Sequence, residues 1–171
     1  MGKWFNVIKD KEYLKEFIEM FCAFHDYRIT KIIFDAAQNQ VDVILEYDTP
    51  NVAKVLLRFI GISAMHINTD IDYEVDWLSG TEFLLTDSYN LLWYNEEGYS
   101  VEQIRKAEYL TWIESERVHF AVLDKNEMPA ELPDSYLHQT WHVLNDQTMK
   151  YEDIHKEFRV FECKERWTKE P

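Results

Sequence analysis

Between Arg58 and Arg105 the chain has no lysine and no arginine, and elsewhere it is sparing with the residues that punctuate a backbone: only four glycines and four prolines in 171 residues. So few glycines leave little material for a phosphate-cradling loop, and neither a Gly-x-x-x-x-Gly-Lys nor a Gly-x-Ser-x-Gly pattern is present. There are two cysteines, Cys22 and Cys163, with no Cys-x-x-Cys spacing, which argues against a thiol-rich metal knuckle and suits two free thiols in a reducing compartment. Long apolar runs are missing too. The most apolar stretch, "VAKVLLRFIGISAM", is interrupted by Lys54 and Arg58, so no membrane span is expected. The N-terminal "MGKWFNVIKDKEYLKEF" lacks a signal-peptide core and has Asn6 where myristoylation wants Ser or Thr, which points to a soluble cytoplasmic protein.

Acid and aromatic residues are abundant. The net charge is -14, with 15% aromatics including six Trp, ten Tyr and ten Phe, a composition that folds rather than stays disordered. The length fits a single domain over 1–171. In the window without basic residues stand Asp70, Asp72, Glu74, Asp76, Glu82, Asp87, Glu96, Glu97 and Glu102. A field of that one sign repels nucleic acid and anionic lipid and draws basic proteins or metal cations.

The periodicity predicts an α+β fold: an N-terminal helix, then an antiparallel meander to about residue 125, then C-terminal helices over 126–171. In "KEYLKEFIEMFCAF" Tyr13, Leu14, Phe17, Ile18, Phe21 and Phe24 recur at spacings of three and four, opposite Lys and Glu. "RITKIIFD", "QVDVILEYD" and "VAKVLLRFIG" are β-branched and aromatic runs joined by short turns, hence antiparallel neighbours. "SVEQIRKA" predicts a short helix capped by Ser100 with Gln103 completing a capping box. "EYLTWIESERVHFAVLD" reads as two strands turning near Ser115 and Glu116. Leu137, Trp141 and Leu144, then Tyr151, Ile154, Phe158 and Phe161, have helical spacing and predict the C-terminal helices.

Two constellations bear on function. In "TDIDYEVDWLSG" the carboxylates Asp70, Asp72, Glu74 and Asp76 alternate with Ile71, Tyr73, Val75 and Trp77, so an extended chain carries four negative charges on one face. Val75 and Thr81 stand where a helix-loop-helix calcium site needs Gly and Glu, which excludes that site and leaves another cation site, a solvated or edge-protecting face, or a protein-binding surface. Tyr89, Tyr94 and Tyr99, interleaved with Asp87, Glu96 and Glu97, have the chemistry of interface anchors. The second constellation is Asp134, His138 and His142, spaced by four, which would share a helix face as metal ligands of a hydrolase. Gln139 replaces the Glu of a His-Glu-x-x-His protease. His25-Asp26 in "FHDYR" matches the dyad of metal-dependent phosphohydrolases, although the sequence then turns into strands, so a helix-ending turn is the simpler reading.

"FHDYRITKIIFD" leading into a strand meander, with "WLSG" midway, is similar to small uncharacterised bacterial proteins, some of them grouped with immunity proteins of polymorphic toxin systems. The resemblance spans roughly the first hundred residues and implies a non-catalytic protein, without a cofactor, that binds a basic toxin through an acidic surface. The resemblance gives the class alone; it is the acidic window and its interleaved tyrosines that name Asp70, Asp72, Glu74, Asp76, Asp87, Tyr89, Tyr94, Glu96 and Glu97 as the partner-binding set. The alternatives are the His138/His142 hydrolase and a structural subunit whose acidity serves solubility.

Overall fold

A computed structural model describes residues 6–7, 11–47, 54–69, 78 and 80–158. The ladder Asp70, Asp72, Glu74 and Asp76 lies outside the described residues, as do Phe161 and Cys163.

The described chain is mostly strand, which overturns the balanced α+β expectation. Its order is β1 (Asn6–Val7), α1 (Lys11–Met20), β2 (Tyr27–Asp35), β3 (Gln40–Tyr47), β4 (Lys54–His66), β5 (Glu82–Leu85), β6 (Leu91–Tyr94), α2 (Val101–Lys106), β7 (Trp112–Leu123), β8 (Pro129–Ala130), α3 (Asp134–Leu137), β9 (His138–Asn145) and β10 (Lys150–Glu157). An antiparallel sheet runs β2-β3-β4-β7-β6-β5, with β1 and β8 pairing on the remaining edge of β7.

The inner face of this sheet follows from strict alternation. Register aligns three apolar rows across β3, β4 and β7: Val41, Phe59 and Val118; Val43, Leu57 and Phe120; Leu45, Val55 and Val122. All nine are buried. Leu78 exchanges two main-chain bonds with the start of β2, its N–H donating to Tyr27 O and its O accepting from Asp26 N–H, both at 2.9 Å. The chain that leads into β5 therefore lies against β2, at the opposite end of the strand order, and the sheet is curled around its apolar face. Helix α1 fills that concavity: Phe17 is fully buried and packs 4.4 Å from Phe120, with Phe83, Phe21 and Phe24 around it.

β4 continues through Gly61 to His66, and β7 is one strand of twelve residues rather than two. At the expected turn the pair is only bulged: the register shifts beside Ile62, and Gly61 (φ +70°) leaves room for Glu116, whose Cγ would lie 2.9 Å from a Cβ there. A bulge bends a strand without ending it, which is why the local signal near Ser115 resembled a turn.

The larger correction is at the C-terminus. The predicted helices of 126–171 are absent from the described part, where the only helical piece is the four-residue α3, and β9 and β10 instead form a hairpin with Trp141 opposite Ile154. Asn145 initiates the turn, its side-chain oxygen accepting the N–H groups of Gln147 (2.9 Å) and Thr148 (3.2 Å), with Met149 in the left-handed region at φ 54°. Leu137 and Trp141 do reach the main core, but from the end of α3 and one face of a strand. No helix among the described residues is long and apolar enough to cross a membrane.

Helix α1 is followed by a single 3-10 turn, Cys22–Phe24, whose three residues have φ between 51° and 53°. Left-handed backbone costs roughly 1–2 kcal/mol per residue for side chains with a Cβ. The offset is burial: Phe21 and Phe24 lie on either side, stacked at 5.0 Å and nearly inaccessible.

On the outer face, Asp42, Arg58 and His119 make a row, and Asp42 grips Arg58 through two bonds of 2.9 and 2.8 Å. Burial, with Arg117 and Arg58 nearby, lowers the His119 pKa to about 4, so His119 is neutral in the folded protein. The unfolded chain takes up that proton near pH 6.5. Stability contributed by neutral His119 is thus present above pH 6.5 and is lost as pH falls toward 4, by about 2 kcal/mol between pH 7 and 5. Urea unfolding at the two pH values measures this, and His119→Leu should flatten the dependence. Truncating the plug, Phe17→Ala, should cost about 3–5 kcal/mol in the same assay, whereas the exposed Phe34→Ser should change stability by less than about 0.5 kcal/mol.

Candidate functional site

The described part of the acidic window is organised by tyrosines. β6 ends in a turn at 95–98 that needs Gly98 in the left-handed region (φ +87°), and the chain then enters α2 through the capping box of Ser100 and Gln103, as the sequence predicts. This brings Tyr94 and Tyr99 together. Tyr94 is fully buried among Leu92, Ile104, Leu110 and Trp112 on the outer side of the sheet. Its hydroxyl donates to Glu82 Oε2 and accepts the Tyr99 N–H at 3.0 Å, while Glu82 Oε2 also accepts the Gly98 N–H at 3.2 Å. One carboxylate and one phenol thereby fix the whole turn.

The rings continue outward. Tyr94 meets Tyr99 edge-on at 6.1 Å and 88°, and Tyr99 meets Tyr109 at 6.3 Å and 64°. The series runs from buried Tyr94 through half-buried Tyr99 to Tyr109, which is 48% exposed. Carboxylates surround it. The Glu97 carboxylate lies against the Gly80 backbone, where an added Cβ would come within 3.0 Å of it. Burial, then the bond to Glu82 and the charges of Glu82 and Glu97, push the Tyr94 hydroxyl well above its ordinary range. Tyr99 is pushed up to about 12, first by its bond to Tyr109 and then by the charge of Glu96. Both phenols are protonated donors at neutral pH.

The basic residues that close the window have local duties. Arg105 binds the buried carboxylate of Glu114 at 2.7 Å, and Lys106 pairs with Glu102 one helical turn earlier at 2.6 Å. The edge formed by Glu82, Glu96 and Glu97 thus keeps its negative sign beside exposed aromatic rings.

The predicted binding set is only partly gathered here. Glu96 and Glu97 belong to the edge, but Tyr94 is the buried base of the aromatic series and is unavailable as an anchor. Asp87 and Tyr89 are exposed at the opposite end of the four-residue β6, roughly 13 Å away at strand rise. Tyr109 and Glu82 were missed: "EYL" read as strand-forming, and Glu82 as one acid among nine. The pairing of β5 with β6 sets Glu82 opposite Tyr94, and the return of the chain after α2 brings Tyr109 to Tyr99.

The predicted metal set is dispersed. Its spacing assumed one helix, but Asp134 begins α3 while His138 and His142 lie on β9, about 13 Å apart along an extended strand. His142 Nδ1 faces Asp153 across the hairpin at 2.5 Å and His138 Nδ1 faces Glu157 at 4.0 Å. Among the described residues no three His, Cys, Asp or Glu side chains group to hold a metal ion.

Tyr94→Phe removes the hydroxyl that joins Glu82 to the Tyr99 backbone and should cost about 1–2 kcal/mol, measured by urea unfolding. Near-UV circular dichroism of the tyrosines should weaken in the same variant while far-UV strand signal is retained.

No family model matches the chain, and neither a curated protein nor a solved structure matches it.

Proposed function

We propose that the protein is a non-catalytic binding module that uses the acidic edge of β5, β6 and α2 to hold a basic protein, in the manner of an immunity protein neutralising a toxin. The observation that carries this reading is the tyrosine series set among carboxylates. Interface anchors are effective when they are large, rigid and amphipathic, because little side-chain freedom is lost on binding. Tyr109 and Tyr99 meet that description: each is held by a ring behind it, and the last of those rings is buried in the sheet. The charge supplies encounter. The edge keeps a net negative sign, since Arg105 and Lys106 of α2 are paired with Glu114 and Glu102, and such a field steers a cationic partner and rejects anionic ones, chiefly through the association rate. The ladder at residues 70–76 extends the same sign along the sequence.

The test separates the two contributions. With the partner captured from the native cells at low salt, Glu96→Gln combined with Glu97→Gln should lower the association rate and flatten its salt dependence, leaving dissociation nearly unchanged. Tyr109→Ala should do the reverse, raising the dissociation rate by about tenfold or more, equivalent to about 1.4 kcal/mol or more. Surface plasmon resonance reads both, and unchanged kinetics in both variants would remove this edge from the account.

A further inference from the structure

A cleft of about 710 Å³ separates the start of β2, with the turn before it, from α3 and the β9–β10 hairpin. Its volume falls in the range that takes a small molecule. None of its lining residues belongs to the acidic edge, so a role for it is independent of the proposed function.

Five of the lining side chains are aromatic, Phe21, Tyr27, Tyr47, Tyr136 and Trp141, and no lysine or arginine stands among the described residues of the lining. The five come from distant parts of the chain and hold one another in place. Phe21 and Tyr136 meet at 5.4 Å, Tyr27 and Tyr47 edge-on at 5.5 Å and 61°, and a hydrogen bond links the hydroxyls of Tyr27 and Tyr136. Trp141 is fixed by its own donor: Nε1 gives its proton to Gln139 Oε1 at 2.9 Å, while Gln139 Nε2 donates to Met20 O and Tyr136 O, both at 2.9 Å. The wall is therefore assembled before a ligand arrives, and binding need not order it.

The faces of such rings carry the negative end of a quadrupole and attract cations, more strongly where water is excluded. Trp141 already draws one: Lys156 Nζ lies 5.0 Å from its ring centroid, although Lys156 does not line the cleft. Burial and the neighbouring Tyr136 hydroxyl push the Tyr27 phenol above its ordinary range, so the inner wall is neutral. The formal negative charge stands at the mouth, where the half-exposed Asp26 carboxylate faces His25 Nδ1 through Oδ2 at 3.0 Å.

We propose that this cleft binds a small organic cation with a methylated ammonium head, the head resting against the Tyr27, Tyr47, Tyr136 and Trp141 rings and Asp26 supplying the counter-charge. A quaternary head has no N–H to leave unbonded, whereas a primary ammonium would bring three donors to a wall of ring faces. An anion would meet the ring faces and a carboxylate with no lysine or arginine to pair with.

The probes are choline and 3,3-dimethylbutan-1-ol, its neutral isostere, each titrated into the full chain by isothermal calorimetry at about pH 8, where imidazole is ordinarily neutral. Choline should bind about tenfold or more tightly than the isostere, and its methyl proton resonance should move upfield as the rings enclose it. Asp26→Asn should weaken choline binding several-fold and leave the isostere unaffected; asparagine tolerates the left-handed backbone of this position (φ 65°), so the turn is kept. Tyr47→Leu retains an apolar side chain but removes a ring face, and should weaken choline more than the isostere. Thermal unfolding shows whether each variant folds. Equal affinity for the two probes, or no binding of choline by the parent chain, overturns the proposal without reference to a variant, and so does a folded Tyr47→Leu or Asp26→Asn protein that binds choline like its parent.

Discussion

Phe17 against Phe120 is the contact on which the remaining structure depends. A curled antiparallel sheet has one face that must be covered, and the three apolar rows of β3, β4 and β7 leave a concavity that short side chains cannot fill. An aromatic ring from α1 fills it, and the rings of Phe21, Phe24 and Phe83 close around that ring. Because α1 must sit there, the chain has little length in which to reverse and enter β2. The left-handed turn at Cys22–Phe24 is the consequence.

The two faces of the sheet then divide the chemistry. The inner face is almost wholly apolar, while the outer face carries polar groups wherever a partner is at hand: Asp42 with Arg58, Glu114 with Arg105, Tyr94 with Glu82. A buried carboxylate is tolerated there because it is bonded, since an unpaired one would cost more than the fold gains from excluding water. His119 in the same face is instead accommodated by staying neutral, its Nδ1 having no hydrogen-bond partner among the described residues. Helix α2 exists to supply one of these partners and to cover Tyr94, and its capping box secures it at the site of the acidic edge. Stability and the proposed binding surface therefore share residues, the tyrosine series being core at one end and surface at the other.

Much of the sheet was legible in the sequence because a strand with one buried face must alternate. β2, β3 and β4 stand where β-branched runs predict them, and Ser100 caps the helix it was expected to cap. The failures have specific physical causes. Leu137, Trp141 and Leu144 satisfy a helical period, yet Trp141 needs only one face of a strand to reach the core, and the Asn145 turn supplies the hairpin that a local period cannot register. At Ser115 a bulge imitated a turn. The metal set failed with the helix that was to align it, since residues four apart are neighbours on a helix and distant on a strand.

Composition and order of residues by themselves determined the charge field, the absence of phosphate-cradling loops, the antiparallel pairing of β2 to β4 and the α2 cap, all of which arise from neighbours within a few residues or from sums over the chain. Which acids act together was decided only by tertiary structure. Glu82 meets Tyr94 because β5 pairs with β6, Tyr109 meets Tyr99 because the chain returns after α2, and His25-Asp26 faces a cleft because a hairpin more than a hundred residues later packs opposite it. Such juxtapositions depend on register and on the curl of the sheet, which long-range packing sets and no local pattern encodes.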